Sequence, residues 1–232
     1  MCGRFTLFES SAVLSTEFSV PITFKLTPRY NVAPSQPVLA VRVSPETKKR
    51  DASWFRWGLV PRWAKDDSIG YGMINARAET VTEKPGFRDA FRHRRCLVPA
   101  SGFYEWKKEA RRKQPYYIRR KDGRPFAFAG LWERWKGKEE APVESCTLVT
   151  TEANELVSSI HDRMPMILQP ADYKLWLDPE ISGRGNILPL LRQYSSQEME
   201  AFPVGTIVNN PKTEDPRCIV SAGSSGEEER QR

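Results

Sequence analysis

Tyr116-Tyr117-Ile118-Arg119, Asp122-Gly123 and Phe126-Ala127-Phe128-Ala129-Gly130-Leu131-Trp132 follow one another closely, and their reading decides the fold. Aromatic and β-branched residues on either side of an Asp-Gly pair predict two strands joined as a hairpin. Working outward, Val38 to Val43 and Ser53 to Leu59 predict a second hairpin across a charged turn from Pro45 to Asp51. Cys96 to Pro99, Ser145 to Thr150, Met166 to Leu168, Phe202 to Val208 and Cys218 to Val220 add further strands. Arg29 to Pro34 reads as a loop, because Pro34 keeps Ala33 extended. The helices are short: one after Glu9 and Ser10 carrying Ala12, Val13, Leu14 and Phe18, then Gly86 to Arg94, Glu152 to Ser159, one starting at Pro170, and Asn186 to Tyr194. In the Pro170 helix Tyr173, Trp176 and Leu177 share an i, i+3, i+4 stripe that belongs in a core. The expected class is α+β: one domain over residues 2–220, built as a largely antiparallel curved sheet or partial barrel flanked by short helices. The Ser/Gly/Glu tail, residues 221–232, is expected to be disordered.

With 232 residues, 39% of them hydrophobic, the chain can bury a real core. No apolar run reaches the ~18 residues of a membrane span, and the N-terminus lacks the apolar stretch of a signal peptide. An intracellular, cytoplasmic protein is therefore expected. Cys2, Cys96, Cys146 and Cys218 form no C-x-x-C pair, which argues against a zinc site or a disulfide framework. The net charge is +7, and the tail with Glu227, Glu228, Glu229, Arg230 and Arg232 carries −1, leaving +8 on the body. That excess favours a polyanionic partner, most often nucleic acid, although a basic protein that binds none has the same composition. Aromatics at 11%, seven of them Trp, would supply stacking platforms for a single strand, while core packing is the commoner use of a Trp.

Four stretches carry chemistry. In Met1-Cys2-Gly3-Arg4-Phe5, removal of Met1 would turn Cys2 into a 1,2-aminothiol. Its α-amine, with a reference pKa of roughly 7.7–8.0, can form a Schiff base with an aldehyde, and the thiol, near ~8.5, can then close a thiazolidine. Many chains carry a second-residue Cys by chance. Asn75, Arg77 and Glu79 alternate, so an extended segment puts an amide, a guanidinium and a carboxylate on one face; an exposed strand face without function shows the same pattern. Glu105 sits between Tyr104 and Trp106. If buried, its raised pKa makes it a proton donor near neutral pH; if it alternates outward it is a surface Glu. His161, beside Asp162 and Arg163, stands where its pKa can be tuned across neutrality, though a lone His is more often structural. Arg88, Arg92 and Arg94 share a helix face that could track phosphates or simply face solvent, and His93 reads as surface.

Met1 to Phe5, Arg29-Tyr30-Asn31-Val32-Ala33-Pro34, Trp57-Gly58-Leu59-Val60-Pro61, Ile74 to Glu79, Gly102-Phe103-Tyr104-Glu105-Trp106 and His161-Asp162-Arg163-Met164-Pro165 together resemble the SOS response-associated peptidase (SRAP) family, the abasic-site processing proteins. The resemblance runs from Cys2 to about Val220. It implies that Cys2 captures the ring-opened aldehyde of an abasic site in single-stranded DNA as a stable thiazolidine. It assigns Asn75 to holding the aminothiol, Glu105 to assisting sugar ring opening, and His161 to moving protons during Schiff-base formation and closure. Arg4, Arg77 and Arg163 fall on positions expected to bind phosphates, Thr150 adds a hydrogen bond there, and Trp63 lies in an aromatic loop that stacks on or wedges against a base. A latent abasic-site lyase activity is implied as well, as is removal of the residue before Cys2, by self-processing or by a cellular aminopeptidase. No metal or cofactor is expected, and the partner is abasic single-stranded DNA, bound by a cytoplasmic monomer. The alternatives are a cysteine peptidase pairing Cys2 with His161, an N-terminal-nucleophile amidohydrolase of the glutamine amidotransferase kind, and a basic single-strand binder without chemistry.

Overall fold

Phe126-Ala127-Phe128-Ala129-Gly130-Leu131-Trp132 is apolar at every position, so its strand needs cover on both faces and a partner on each edge. The computed structural model, which describes residues 2–110, 112–137, 141–181 and 184–223, provides both. The strands are β1 (Phe5–Leu7), β2 (Arg29–Val32), β3 (Pro37–Val43), β4 (Arg50–Trp57), β5 (Asn75–Arg77), β6 (Arg95–Ala100), β7 (Gly102–Lys108), β8 (Lys113–Arg120), β9 (Phe126–Trp135), β10 (Val143–Glu152), β11 (Arg163–Pro165), β12 (Ile167–Leu168) and β13 (Met199–Pro203). The short helices are α1 (Ser11–Phe18), α2 (Arg88–His93), α3 (Glu155–Ser158), α4 (Tyr173–Leu177) and α5 (Arg184–Ile187). In one sheet the pairings run β10-β4-β3-β6-β9 and return to β10, so the edges are joined as in a barrel. β5, β11 and β12 extend that sheet at its margins. The second sheet has the order β13-β8-β7-β1-β2. The α+β class and the partial barrel expected from the sequence are what the chain forms.

The hairpin over residues 116–132 is not formed. Both strands exist, but β8 pairs with β7 and β13, whereas β9 pairs with β6, β10 and β12. The Asp122-Gly123 turn, with Gly123 at φ 69°, carries the chain from one sheet to the other. β9 is buried along almost its whole length, and closing the barrel around it outweighs the local turn. Gly130 permits that closure, since a Cβ there would meet Cys96 Sγ at 2.7 Å. By contrast, the β3–β4 hairpin forms in full register from Pro37↔Arg56 to Val43↔Arg50.

Smaller corrections have local causes. Arg29–Val32 is strand β2 rather than loop, because β1 offers it an edge. Residues 206–209 and 216–219 form 3₁₀ turns instead of strands; Pro216 favours a turn start, and the Asp215 side chain accepts from Arg217 N at 2.8 Å. Ser221 bridges to Val204 and Ala222 N donates to Pro203 O at 2.9 Å, so the first residues of the expected tail are placed. Residues 224–232 lie outside the described residues, as does Met1, whose removal the aminothiol chemistry requires. No helix among the described residues is long and apolar enough to cross a membrane.

Phe5 knits the two sheets together: its ring meets those of Trp57 and Phe128 edge-on at 5.3 and 5.7 Å. Such fully buried aromatics contribute about 3–5 kcal/mol each by truncation. The other face of the five-stranded sheet buries Tyr104, Tyr117, Val204, Val208 and Cys218 beneath the C-terminal segment. The first residues of the chain thus enter between two packed layers.

Candidate active site

Cys2 precedes β1, which pairs antiparallel with β7 at Phe5↔Phe103 and Thr6↔Gly102. Tyr104 N donates to Arg4 O at 3.0 Å, which carries that register one step toward the N-terminus. Glu105 therefore lies beside the Cys2 end of the neighbouring strand. Strand alternation puts it on the same face as Phe103, with Tyr104 and Trp106 on the other. It is 3% exposed, so the buried alternative holds. Burial, the main cause, pushes its carboxyl up to about 7, with Asp162 adding to the rise.

The Cys2 thiol is buried and donates to Arg4 O at 3.9 Å. Burial first, and then the nearby Glu105, raise its pKa far above the usual thiol range, so it is held as the neutral thiol. Asn75 opens β5, which runs parallel to β10 with Asn75 opposite Leu148. Asn75 Nδ2 donates to Cys2 O at 2.8 Å. Its Oδ1 is buried with no hydrogen-bond partner among the described residues. Such an acceptor is a cost until a donor arrives.

His161 follows α3. Its N–H donates to Val157 O at 2.9 Å, continuing the helical turn, and Asn154 caps that helix by accepting from Val157 N at 3.0 Å. The ring Nδ1 accepts from Arg163 N at 2.9 Å and lies 2.9 Å from Asp162 Oδ1. In the neutral ring Nδ1 is therefore the acceptor and Nε2 carries the proton; a protonated ring donates from Nδ1 to Asp162. Burial lowers the His161 pKa, against the pull of Asp162, so the ring is neutral at pH 7. A cleft of about 410 Å³ is lined by Arg4, Glu105, Trp106, Lys113, His161 and Asn209. It joins an acid poised near neutrality, a neutral imidazole and cations at one opening.

The other expected residues divide. Arg77 is exposed at the end of β5, where its backbone O accepts from Thr80 N at 3.1 Å, and its guanidinium makes no hydrogen bond or ion pair to a described residue. Arg163 is engaged: Nη1 and Nη2 hold Glu79 at 2.7 and 3.1 Å, and Nη2 also donates to Thr150 O at 2.8 Å. Thr150 is fully buried under it. β5 ends at Arg77, so Glu79 stands in the turn that follows and not in the extended segment expected to align it with Asn75 and Arg77. Trp63 is 60% exposed on a loop anchored through Trp135 Nε1 to Ala64 O at 2.8 Å, where Trp135 pairs with Val143 at the start of β10. Trp106, Lys113 and Asn209 line the cleft without having been singled out. Trp106 Nε1 donates to Asn209 Oδ1 at 2.8 Å across 103 residues, a pairing with no local signal. Cys96, Cys146 and Cys218 are free and buried. No group of His, Cys, Asp or Glu among the described residues could hold a metal ion.

Comparison with known proteins shows the family of the chain. Abasic site processing protein YoqW of Bacillus subtilis is 44% identical over 225 residues, covering 95% of this chain and 100% of the relative. Abasic site processing protein YoaM of the same organism is 45% identical over 223 residues, covering 94% and 97%. The crystal structure of a protein from Bacteroides thetaiotaomicron matches with a TM-score of 0.86 at 28% identity, over 95% of this chain and 100% of that one. The profile of the family described as SOS response associated peptidase matches residues 1–211. On these likenesses the chain belongs to the SOS response associated peptidase (SRAP) family.

Proposed function

We propose that this chain recognises abasic sites in single-stranded DNA and, once Met1 is removed, captures them covalently through Cys2. The observation that carries the reading is the grip of Asn75 on the Cys2 backbone, with Oδ1 buried and without a partner among the described residues, ready to accept from a donor such as a freed α-amine. The names of the relatives point to the same lesion. Glu105, whose carboxyl burial pushes up to about 7, passes a proton to the sugar ring oxygen and the aldehyde opens. The α-amine adds to C1′, and His161, neutral and able to exchange protons, assists the loss of one water as the imine forms. The Cys2 thiol then adds to the imine carbon while its proton moves to nitrogen, so the ring closes without net oxidation. Arg4 and Arg77 meet backbone phosphates, as does Arg163 if it exchanges Glu79 for one; Thr150 supports Arg163 from below, and Trp63 stacks on a base. The protein acts as a monomer without metal or cofactor and shields the lesion.

A cysteine peptidase hydrogen-bonds its thiol to an activating base, whereas the Cys2 thiol donates to Arg4 O, which favours the aminothiol route. The test is a denaturing gel of protein beginning at Cys2 mixed with an abasic or an undamaged oligonucleotide. A heat-stable band with the abasic strand alone supports the proposal, and its absence, with peptide or glutamine hydrolysis instead, would overturn it.

A further inference from the structure

Arg4, the residue set against a phosphate in this reading, is held by neutral groups only. Its Nη1 donates to Asn31 Oδ1 at 2.7 Å and to Val208 O at 2.8 Å. Nε is buried with no partner, and Nη2 bonds to none of the described residues. No carboxylate among them forms an ion pair with it, and burial lowers its pKa. A half-buried guanidinium with spare donors, on which the Glu214 carboxylate acts only from beyond ion-pair distance, is short of one direct partner, an anion.

Asn31 sets this geometry. It is fully buried, its Oδ1 receives Arg4, and its Nδ2 donates to Val208 O, Asn210 O and Thr213 O at 3.3, 2.9 and 2.9 Å. The same C-terminal segment returns a carboxylate to β2: Glu214 accepts from Arg29 Nε at 2.7 Å, Tyr30 N at 2.8 Å and Asn31 N at 3.2 Å. Next to Val208, Asn209 accepts from Trp106 Nε1, and the Arg4 guanidinium lies 5.7 Å from the Trp106 ring centre. Residues 208–214 therefore form a latch that is tied to β2 on one side and walls the cleft on the other. Among the described residues Asn31 is the side chain that hydrogen-bonds both the latch and Arg4, while Trp106 meets the two through Asn209 and its ring face.

We infer that Asn31 is a positioning residue: by locking the latch onto Arg4 Nη1 it leaves Nη2 open to a phosphate of the bound single strand. The inference rests on the phosphate role proposed above for Arg4. It is tested by a double-mutant cycle with Arg4→Met and Asn31→Ala, reading the affinity for an undamaged single-stranded oligonucleotide across a salt series. Arg4→Met alone should weaken binding about tenfold and flatten the log–log salt slope by about 0.7, the share of one single-strand phosphate. Asn31→Ala should do the same, and the double variant should be no worse than Arg4→Met within about twofold. A change in Asn31→Ala that multiplies with that of Arg4→Met, or one that leaves the salt slope unaltered, would overturn the positioning role. An Arg4→Met protein with unchanged affinity and slope would overturn the phosphate role itself, and the inference with it. Should Asn31→Ala not fold, Glu214→Ala opens the latch from its partly exposed side. It should weaken binding about threefold in the parent and not at all in Arg4→Met; equal losses in both would count against the inference.

Discussion

Asn75 Nδ2 donates to the carbonyl oxygen of Cys2 at 2.8 Å while Asn75 Oδ1 stays buried and unpartnered among the described residues. One amide thus fixes the backbone of the reactive residue and keeps an acceptor in reserve. Asn75→Ala should slow covalent capture of an abasic oligonucleotide about 10- to 100-fold in single-turnover gels, at a stability loss of about 1 kcal/mol. An unchanged rate would remove Asn75 from the chemistry.

Glu105 sets the pH dependence. Its folded-state pKa of about 7 exceeds the ordinary value near ~4.3. Between those values the folded protein keeps a proton that the unfolded chain has released, so stability falls as pH rises through this window and stays low above it. Glu105→Gln should therefore raise the melting temperature by a few degrees at pH 8 and leave it unchanged at pH 4. It should also slow capture by about 100-fold or more. The parent should lose rate above pH 7 as Glu105 ionises, and below the depressed pKa of His161 as the imidazole protonates.

Cys2→Ala keeps an α-amine and removes the thiol. The imine can then form but not close, and it drifts toward β-elimination. Heat-stable adduct should vanish while strand cleavage at the abasic site persists, read on the same gel. Persistence of the stable adduct would contradict thiazolidine formation.

Trp63 bears little of the fold, being 60% exposed. Trp63→Ala should change stability by less than about 0.5 kcal/mol and weaken single-strand binding by about 1–3 kcal/mol. Equal affinity in the two proteins, measured by fluorescence anisotropy, would take the loop out of the interface.

The sequence revealed those parts of this molecule that are decided locally. Ser10 before α1, the β3–β4 hairpin and the short strand through Asn75 could all be read from spacing and residue type. The burial of Glu105 was legible as one of two alternatives, and only its β7 register settles which. The Asp122-Gly123 hairpin misled because the turn chemistry is local to residues 119–126, while β9 takes its partners beyond that turn, Gly130 opposite Cys96 and Trp132 opposite Cys146. Arg163 was read as a phosphate ligand, yet its pairing with Glu79 spans 84 residues. The Asn31 latch reaches over 182 residues to Thr213, and no periodicity records such a contact.

The most direct measurement is the intact mass of the product from an abasic oligonucleotide and two forms of the protein, one beginning at Cys2 and one with that amine blocked. The aminothiol mechanism predicts, for the free form alone, a product weighing protein plus oligonucleotide less one water. The same product from the blocked form, or none from protein confirmed to begin at Cys2, would contradict it.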